Sequence, residues 1–248
     1  MYQPREYRHW IKDGDLVSFR VTVKETDLHI RSHRILGTEA LEAAREARAS
    51  LEDYITRHPG FQAALEPLVV AKDAPALVKE MAQAAALVGV GPMAAVAGAI
   101  AEGVGWRLLK LSPEVIVENG GDIFIASSKP RTVGVYAGES PFTGKLALKI
   151  DKSEMPLGIC TSSGVVGHSL SFGQADAVIV LSPSTALADA AATAIGNMVK
   201  QDSDIEKGIQ FAQGIVGLKG VAIIKGSLLG VWGEIKLATN EDVDGEKG

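Results

Sequence analysis

The stretch from Gly158 to Asn197, GICTSSGVVGHSLSFGQADAVIVLSPSTALADAAATAIGN, constrains the fold more than any other part of the chain. It holds a Ser/Thr/Gly loop, an apolar strand and a helix built almost wholly of small residues. Alanines around Asp189 imply close packing against a neighbouring element. Asp189 and Thr193 lie four apart and therefore share a helix face. No Lys or Arg occurs between Lys152 and Lys200. An anion bound here would need a metal held by Asp189 and Thr193, or backbone N–H groups, to offset its charge.

At 248 residues the chain suits one large or two small domains with an ample core. With 46% apolar and 22% charged residues it reads as globular. A net charge of −5 and no basic cluster with interleaved aromatics argue against a nucleic-acid partner. A single cysteine, Cys160, excludes an internal disulfide framework and a Cys-based zinc site. The charged, aromatic start MYQPREYRHWIKDGD has no apolar signal region, so a cytoplasmic location is expected. Ala84–Ala101 carries no charge. Gly89-Val90-Gly91-Pro92 breaks it, and two buried helices explain it better than a membrane span.

Residues 16–31 predict a hairpin, and Thr38 is a candidate cap for a helix to about Arg57. Further helices are expected at about 60–66, 75–88 and from Pro92 to about Leu109. Val115–Val117 and Ile123–Ile125 read as strands separated by Glu118-Asn119-Gly120-Gly121-Asp122. Two strands follow in 131–150, then Leu157–Cys160 and Ala175–Leu181 around the Ser/Thr/Gly loop. Helices at about 184–200 and 203–217 precede a last hairpin, Val221–Leu237. Residues 1–238 form one domain of two similar halves in this reading, and 239–248 form a disordered acidic tail. The echo of Ala94–Ile100 in Asp189–Ile195 suggests a duplicated plan of helices on an antiparallel sheet.

Several polar groups stand out as a ligand site. Glu118, Asn119 and Asp122 flank a glycine pair where a ligand can approach the backbone. Thr161, Ser162, Ser163 and Gly164 follow a strand end and offer hydroxyl and N–H groups. His168, between Gly167 and Ser169, is a candidate general base. Cys160 reads as a small strand hydrophobe.

The segments GPMAAVAGAIAE (91–102), ENGGDIF (118–124), CTSSGVVGHS (160–169) and ALADAAATA (186–194), with ETDLHI (25–30), resemble the ApbE superfamily, and within it an uncharacterised ApbE-like branch. The resemblance implies an α+β, T-fold-like architecture of duplicated helix-plus-antiparallel-sheet units. It also implies FAD and Mg²⁺ as cofactors, with FMN passed to a Thr or Ser of an acceptor protein and AMP released. Asp189 and Thr193 match the magnesium motif, and Gly120, Gly121 and Asp122 the flavin-contact motif. Thr161, Ser162 and Gly164 resemble the family's Thr-Ser-Gly loop, and His168 its following histidine. Gly98 matches a family glycine, and Glu102 takes the place of a family aspartate.

The departures are equally specific. Ala97 and Ala99 replace a lysine and a tyrosine, His168 is followed by Ser-Leu-Ser-Phe-Gly rather than Asp-Pro, and the family's asparagine falls on Glu118, with Asn119 one place later. The expected function is thus a Mg²⁺-dependent, flavin-nucleotide transferase-like enzyme acting on FAD or a related nucleotide. The alternatives are a non-catalytic flavin-, nucleotide- or pterin-binding protein, and a hydrolase using Ser162 or Ser163 with His168. The acceptor and the oligomeric state, a homo-oligomer included, stay open.

Overall fold

The computed structural model describes residues 14–164 and 173–239. Strands β1 (Val17–Val23) and β2 (Thr26–Ser32) form the first hairpin and lead to helix α1 (Gly37–Arg57). The short α2 (Gly60–Ala63), α3 (Ala76–Val88), a 3-10 turn (Pro92–Ala95) and α4 (Val96–Leu108) follow. Then come β3 (Val115–Asn119), β4 (Asp122–Ala126), β5 (Arg131–Gly134), β6 (Leu146–Ile150), β7 (Leu157–Ser162) and β8 (Ala177–Ser182). The chain continues through α5 (Thr185–Met198), α6 (Asp204–Gln213), β9 (Gly220–Lys225), β10 (Leu228–Gly233) and β11 (Leu237–Thr239).

Eight strands form one antiparallel sheet in the order β1-β2-β3-β4-β7-β8-β9-β10, and β11-β6-β5 form a second. The helices cover one face of the large sheet and the small sheet covers the other. Strand alternation divides the side chains between two cores. Val117, Phe124 and Val180 meet the helices, while Ile116, Ile125 and Ile179 meet Val133, Leu148 and Ile150 of the small sheet. Burial on both faces explains the unbroken apolar runs Val115–Val117 and Ile123–Ile125.

The two halves of the large sheet have the same element order: two strands, helices, two strands. Within that order α1 and α5 each follow a second strand, and α4 and α6 each precede a third. The echo of Ala94–Ile100 in Asp189–Ile195 therefore pairs α4 with α5, which occupy different places in the two halves. What these helices share is contact with one another. A Cβ on Gly98 would lie 2.5 Å from the Thr185 carbonyl oxygen and 2.8 Å from Asp189 Cβ, so small residues are what this crossing permits.

Other expectations shift by a few residues. Leu36, not Thr38, occupies the N-cap of α1, and no side chain caps it. The helix expected at 60–66 is a single turn, and Thr239 belongs to β11. No single helix among the described residues is long and apolar enough to cross a membrane. Ala76–Val88 and Pro92–Leu108 would qualify only together, and they are bent by 105°.

Candidate functional site

The site sits where β4 meets β7, under the crossing of α4 and α5. Gly120 and Gly121 form a two-residue turn between β3 and β4, with φ of 70° and 113°. Such a turn requires left-handed backbone, which glycine adopts without strain. It leaves Asn119 opposite Asp122. The pleat then sorts the polar side chains. Asn119 and Asp122 share parity with Val117 and Phe124 and aim at the helices. Cys160 and Ser162 do the same from β7. Glu118 and Thr161 alternate to the opposite face.

Asp122 and Asp189 are both buried. Asp122 Oδ1 accepts the Thr161 N–H at 3.3 Å, and its carboxylate also bonds the Cys160 thiol. Asp189 Oδ2 accepts the Gly98 N–H at 2.8 Å. Burial raises the Asp122 pKa to about 7, against the Cys160 and Thr161 hydrogen bonds and with help from the Glu118 charge. Burial, then the Asp122 charge, pushes Asp189 well above the carboxylate range, although the Gly98 and Ala97 N–H groups oppose this. Among the described residues neither aspartate has a basic partner. Two buried carboxylates, one of which feels the charge of the other, are costly as anions when no cation accompanies them.

The surrounding groups brace this pair. Asn119 Nδ2 donates to the Ala97 carbonyl at 3.0 Å, tying the turn to the start of α4. Glu118 Oε1 accepts the Gly121 N–H at 3.1 Å and stiffens the turn. Gly120 is exposed, with open space where a Cβ would stand. Cys160 Sγ donates to the Thr185 carbonyl at 3.3 Å, and burial followed by the two aspartate charges raises its pKa. Buried Thr185 Oγ1 has no hydrogen-bond partner among the described residues.

The residues expected from sequence divide accordingly. Asn119, Gly120, Gly121, Asp122, the Thr161 N–H and Asp189 converge. Thr193 is half-buried one turn beyond Asp189. Glu118 and the Thr161 side chain point to the far face. Thr161 and Ser162 are not loop residues: they close β7, opposite Ile179 and Val178. Ser162 is buried, its Oγ 3.3 Å from where a Cβ on Gly196 would stand. Ser163 is half-buried and Gly164 donates its N–H to the Ala175 carbonyl at 3.0 Å. His168 lies outside the described residues. Glu102 is at the α4–α5 crossing. Its Oε2 accepts the Thr185 N–H at 2.7 Å, at the start of α5.

Three contributors had no sequence reading as site residues: the Gly98 N–H, the Cys160 thiol as a polar group, and Thr185. No cluster of three or more His, Cys, Asp or Glu side chains arranged to hold a metal occurs among the described residues. Mg²⁺ needs only one or two protein carboxylates beside substrate phosphates and water. Asp189 with Thr193, beside the uncompensated Asp122 charge, fits that limited demand. An open depression of about 280 Å³ lined by Tyr54, His58, Phe61 and Val69 is a separate feature at α1 and α2.

The family model described as AbpE bacteria matches residues 8–212, which span every described group of this site. The chain belongs to this family. Among its relatives, a UPF0280 protein of Methanosarcina barkeri is 41% identical over 89% of this chain and 88% of its own length. One from Methanococcus aeolicus is 37% identical over 92% and 94%. The fold matches that of the ApbE protein of Thermotoga maritima, with a TM-score of 0.56 and 15% identity over 87% of this chain and 96% of that one. It also matches the apo flavinyl transferase ApbE of Pseudomonas stutzeri, with a TM-score of 0.55 and 14% identity over 88% and 94%. At such identities the likeness is one of fold: the AbpE chain has the mixed α+β architecture of these ApbE proteins.

Proposed function

We propose that this AbpE-family protein is a cytoplasmic, Mg²⁺-dependent enzyme that binds FAD or a related dinucleotide and acts at its phosphoanhydride. The observation that carries the reading is the buried Asp122–Asp189 pair, without a cationic partner among the described residues, set beside an open glycine turn. Asp189 and Thr193 would hold the ion, and when bound it would supply positive charge where negative charge develops on the phosphates. The chain's own groups orient the rest. The Gly120-Gly121 backbone lies open to a ligand, Asn119 fixes the turn against α4, and Thr161 N–H holds Asp122. In the transfer form of the reaction an acceptor hydroxyl oxygen attacks the FMN-side phosphorus. The bridging P–O bond breaks, AMP leaves, and the hydroxyl proton passes to a base, for which His168 is the candidate from sequence.

Incubation of the protein with FAD and Mg²⁺, with and without an acceptor carrying the ApbE target motif, tests this reading by mass spectrometry. AMP release that is lost in Asp189→Asn supports it. Tight FAD binding with no AMP released would assign the protein to non-catalytic flavin binding instead.

A further inference from the structure

Helices α4 and α5 carry one five-residue pattern: Gly98-Ala99-Ile100-Ala101-Glu102 and Thr185-Ala186-Leu187-Ala188-Asp189. In each, an acid follows four residues after the first position, and each acid serves the other helix. Asp189 of α5 accepts the Gly98 N–H at 2.8 Å in the first turn of α4. Glu102 of α4 accepts the Thr185 N–H at 2.7 Å and the Ala186 N–H at 3.4 Å in the first turn of α5. The first N–H groups of any helix lack intrahelical partners. The α4 N-cap, Ala95, supplies no side-chain cap of its own. Two small-residue helices that cross this closely therefore cap each other.

We infer that Glu102 is a positioning residue for Asp189: by capping α5 it fixes the register of the α4–α5 crossing, and so the place where the Asp189 carboxylate stands. Glu102 does not contact the ligand in this account. Its other oxygen faces Trp106 Nε1 at 3.4 Å, and Glu80 of α3 hydrogen-bonds it. A third helix is thereby fastened to the same point. The part of the inference that concerns metal rests on the proposed function; the part that concerns helix register does not.

Glutamine at 102 keeps an oxygen for the Thr185 N–H and gains an amide donor for Glu80, so the crossing survives. Alanine removes both. Amide exchange and Mg²⁺ calorimetry on Glu102→Ala and Glu102→Gln separate the roles. Glu102→Ala should speed exchange of the Gly98 amide, which Asp189 of the opposite helix caps, by about tenfold, with β9 amides unchanged, and should weaken Mg²⁺ binding. Glu102→Gln should restore both to near the wild-type values. Unchanged Gly98 exchange in Glu102→Ala would overturn the inference, as would equal loss in both variants, which would make the charge of Glu102 a direct ligand contact. If Glu102→Ala does not fold, Glu102→Met, which keeps the stem and removes the oxygens, takes its place. A wild-type protein that takes up no Mg²⁺ would sink the proposed function, and the Gly98 exchange rates would still decide the register.

Discussion

Two groups of buried carboxylates in this protein are built on opposite principles. Glu114, just before β3, is buried with Arg131 of β5, which also reaches Asp15 at 2.6 Å. Ser127 and Ser128 hydroxyls donate to the same Glu114 carboxylate. Burial alone would raise the Glu114 pKa, yet the serines and the guanidinium bring it down to about 2. Every charge there has a counter-charge, and the cluster fastens β5 of the small sheet to the ends of β3 and β4 in the large one. Asp122 and Asp189 are also buried and have backbone N–H groups and a thiol but, among the described residues, no cation. A carboxylate with a resident partner is structural; a pair short of positive charge is where the proposed ion would be received.

The largest effect that tests this contrast falls on the paired cluster. Arg131→Met should leave Glu114 as an uncompensated buried charge and cost about 3–5 kcal/mol in urea unfolding at pH 7. An effect below 1 kcal/mol would show that the pairing matters little.

The second test uses pH, to which the clusters respond with opposite sign. The Asp122 pKa rises from 3.8 to about 7 on folding. The folded state thus keeps a proton that the unfolded chain gives up, and stability from this group falls as pH climbs from about 4 to 7. Asp122→Asn should therefore stabilise the metal-free protein by roughly 2–4 kcal/mol at pH 8 and flatten that slope. Glu114 runs the other way: its folded value of about 2 lies below 4.5, so its contribution is full above pH 4.5 and is lost as pH falls towards 2. A common pH dependence for Arg131→Met and Asp122→Asn would break the comparison.

A third test concerns rate. Ala97 stands where the ApbE pattern has a lysine, and no Lys or Arg occurs between Lys152 and Lys200. Loss of one pre-organised charge contact costs about a hundredfold, or roughly 2.7 kcal/mol of barrier. FMN transfer to an acceptor carrying the family motif should be slower than that of an ordinary ApbE enzyme by at least about that factor. Equal rates of covalent flavin gain would show the missing cations to be harmless. The smallest effect is expected at the turn, where Gly121→Ala at φ 113° should cost about 1 kcal/mol and weaken FAD binding more than it weakens the fold.

Much of this was legible from residue patterns. Strands β3 and β4 announce themselves as apolar runs around a glycine pair, because local pleating and a tight turn leave direct marks in sequence. Asp189 stands out as the sole carboxylate of an alanine helix. Legibility ended where contacts join distant segments. Glu102 and Thr185 are bonded although 83 positions apart, and nothing local to Glu102 marks it as an acceptor for the first N–H groups of α5. Cys160 reads as a hydrophobe because only the β4–β7 pairing brings it beside Asp122. The alanine echo was real as a pattern and mistaken as an equivalence, since close packing demands small residues in both partners of a crossing. Thr38 failed as a cap because α1 starts two residues earlier, with buried Leu36 at the N-cap.

The most direct test of the central claim, that Asp122 and Asp189 await a cation, is thermal unfolding at pH 8 with and without Mg²⁺. At a concentration about a hundred times the dissociation constant, binding adds roughly 2.7 kcal/mol, which in a chain of this size raises the midpoint by about 5 °C or more. The account predicts that rise for the wild-type protein and its loss in folded Asp189→Asn. An equal shift in both proteins, or no shift in the wild type, would contradict it.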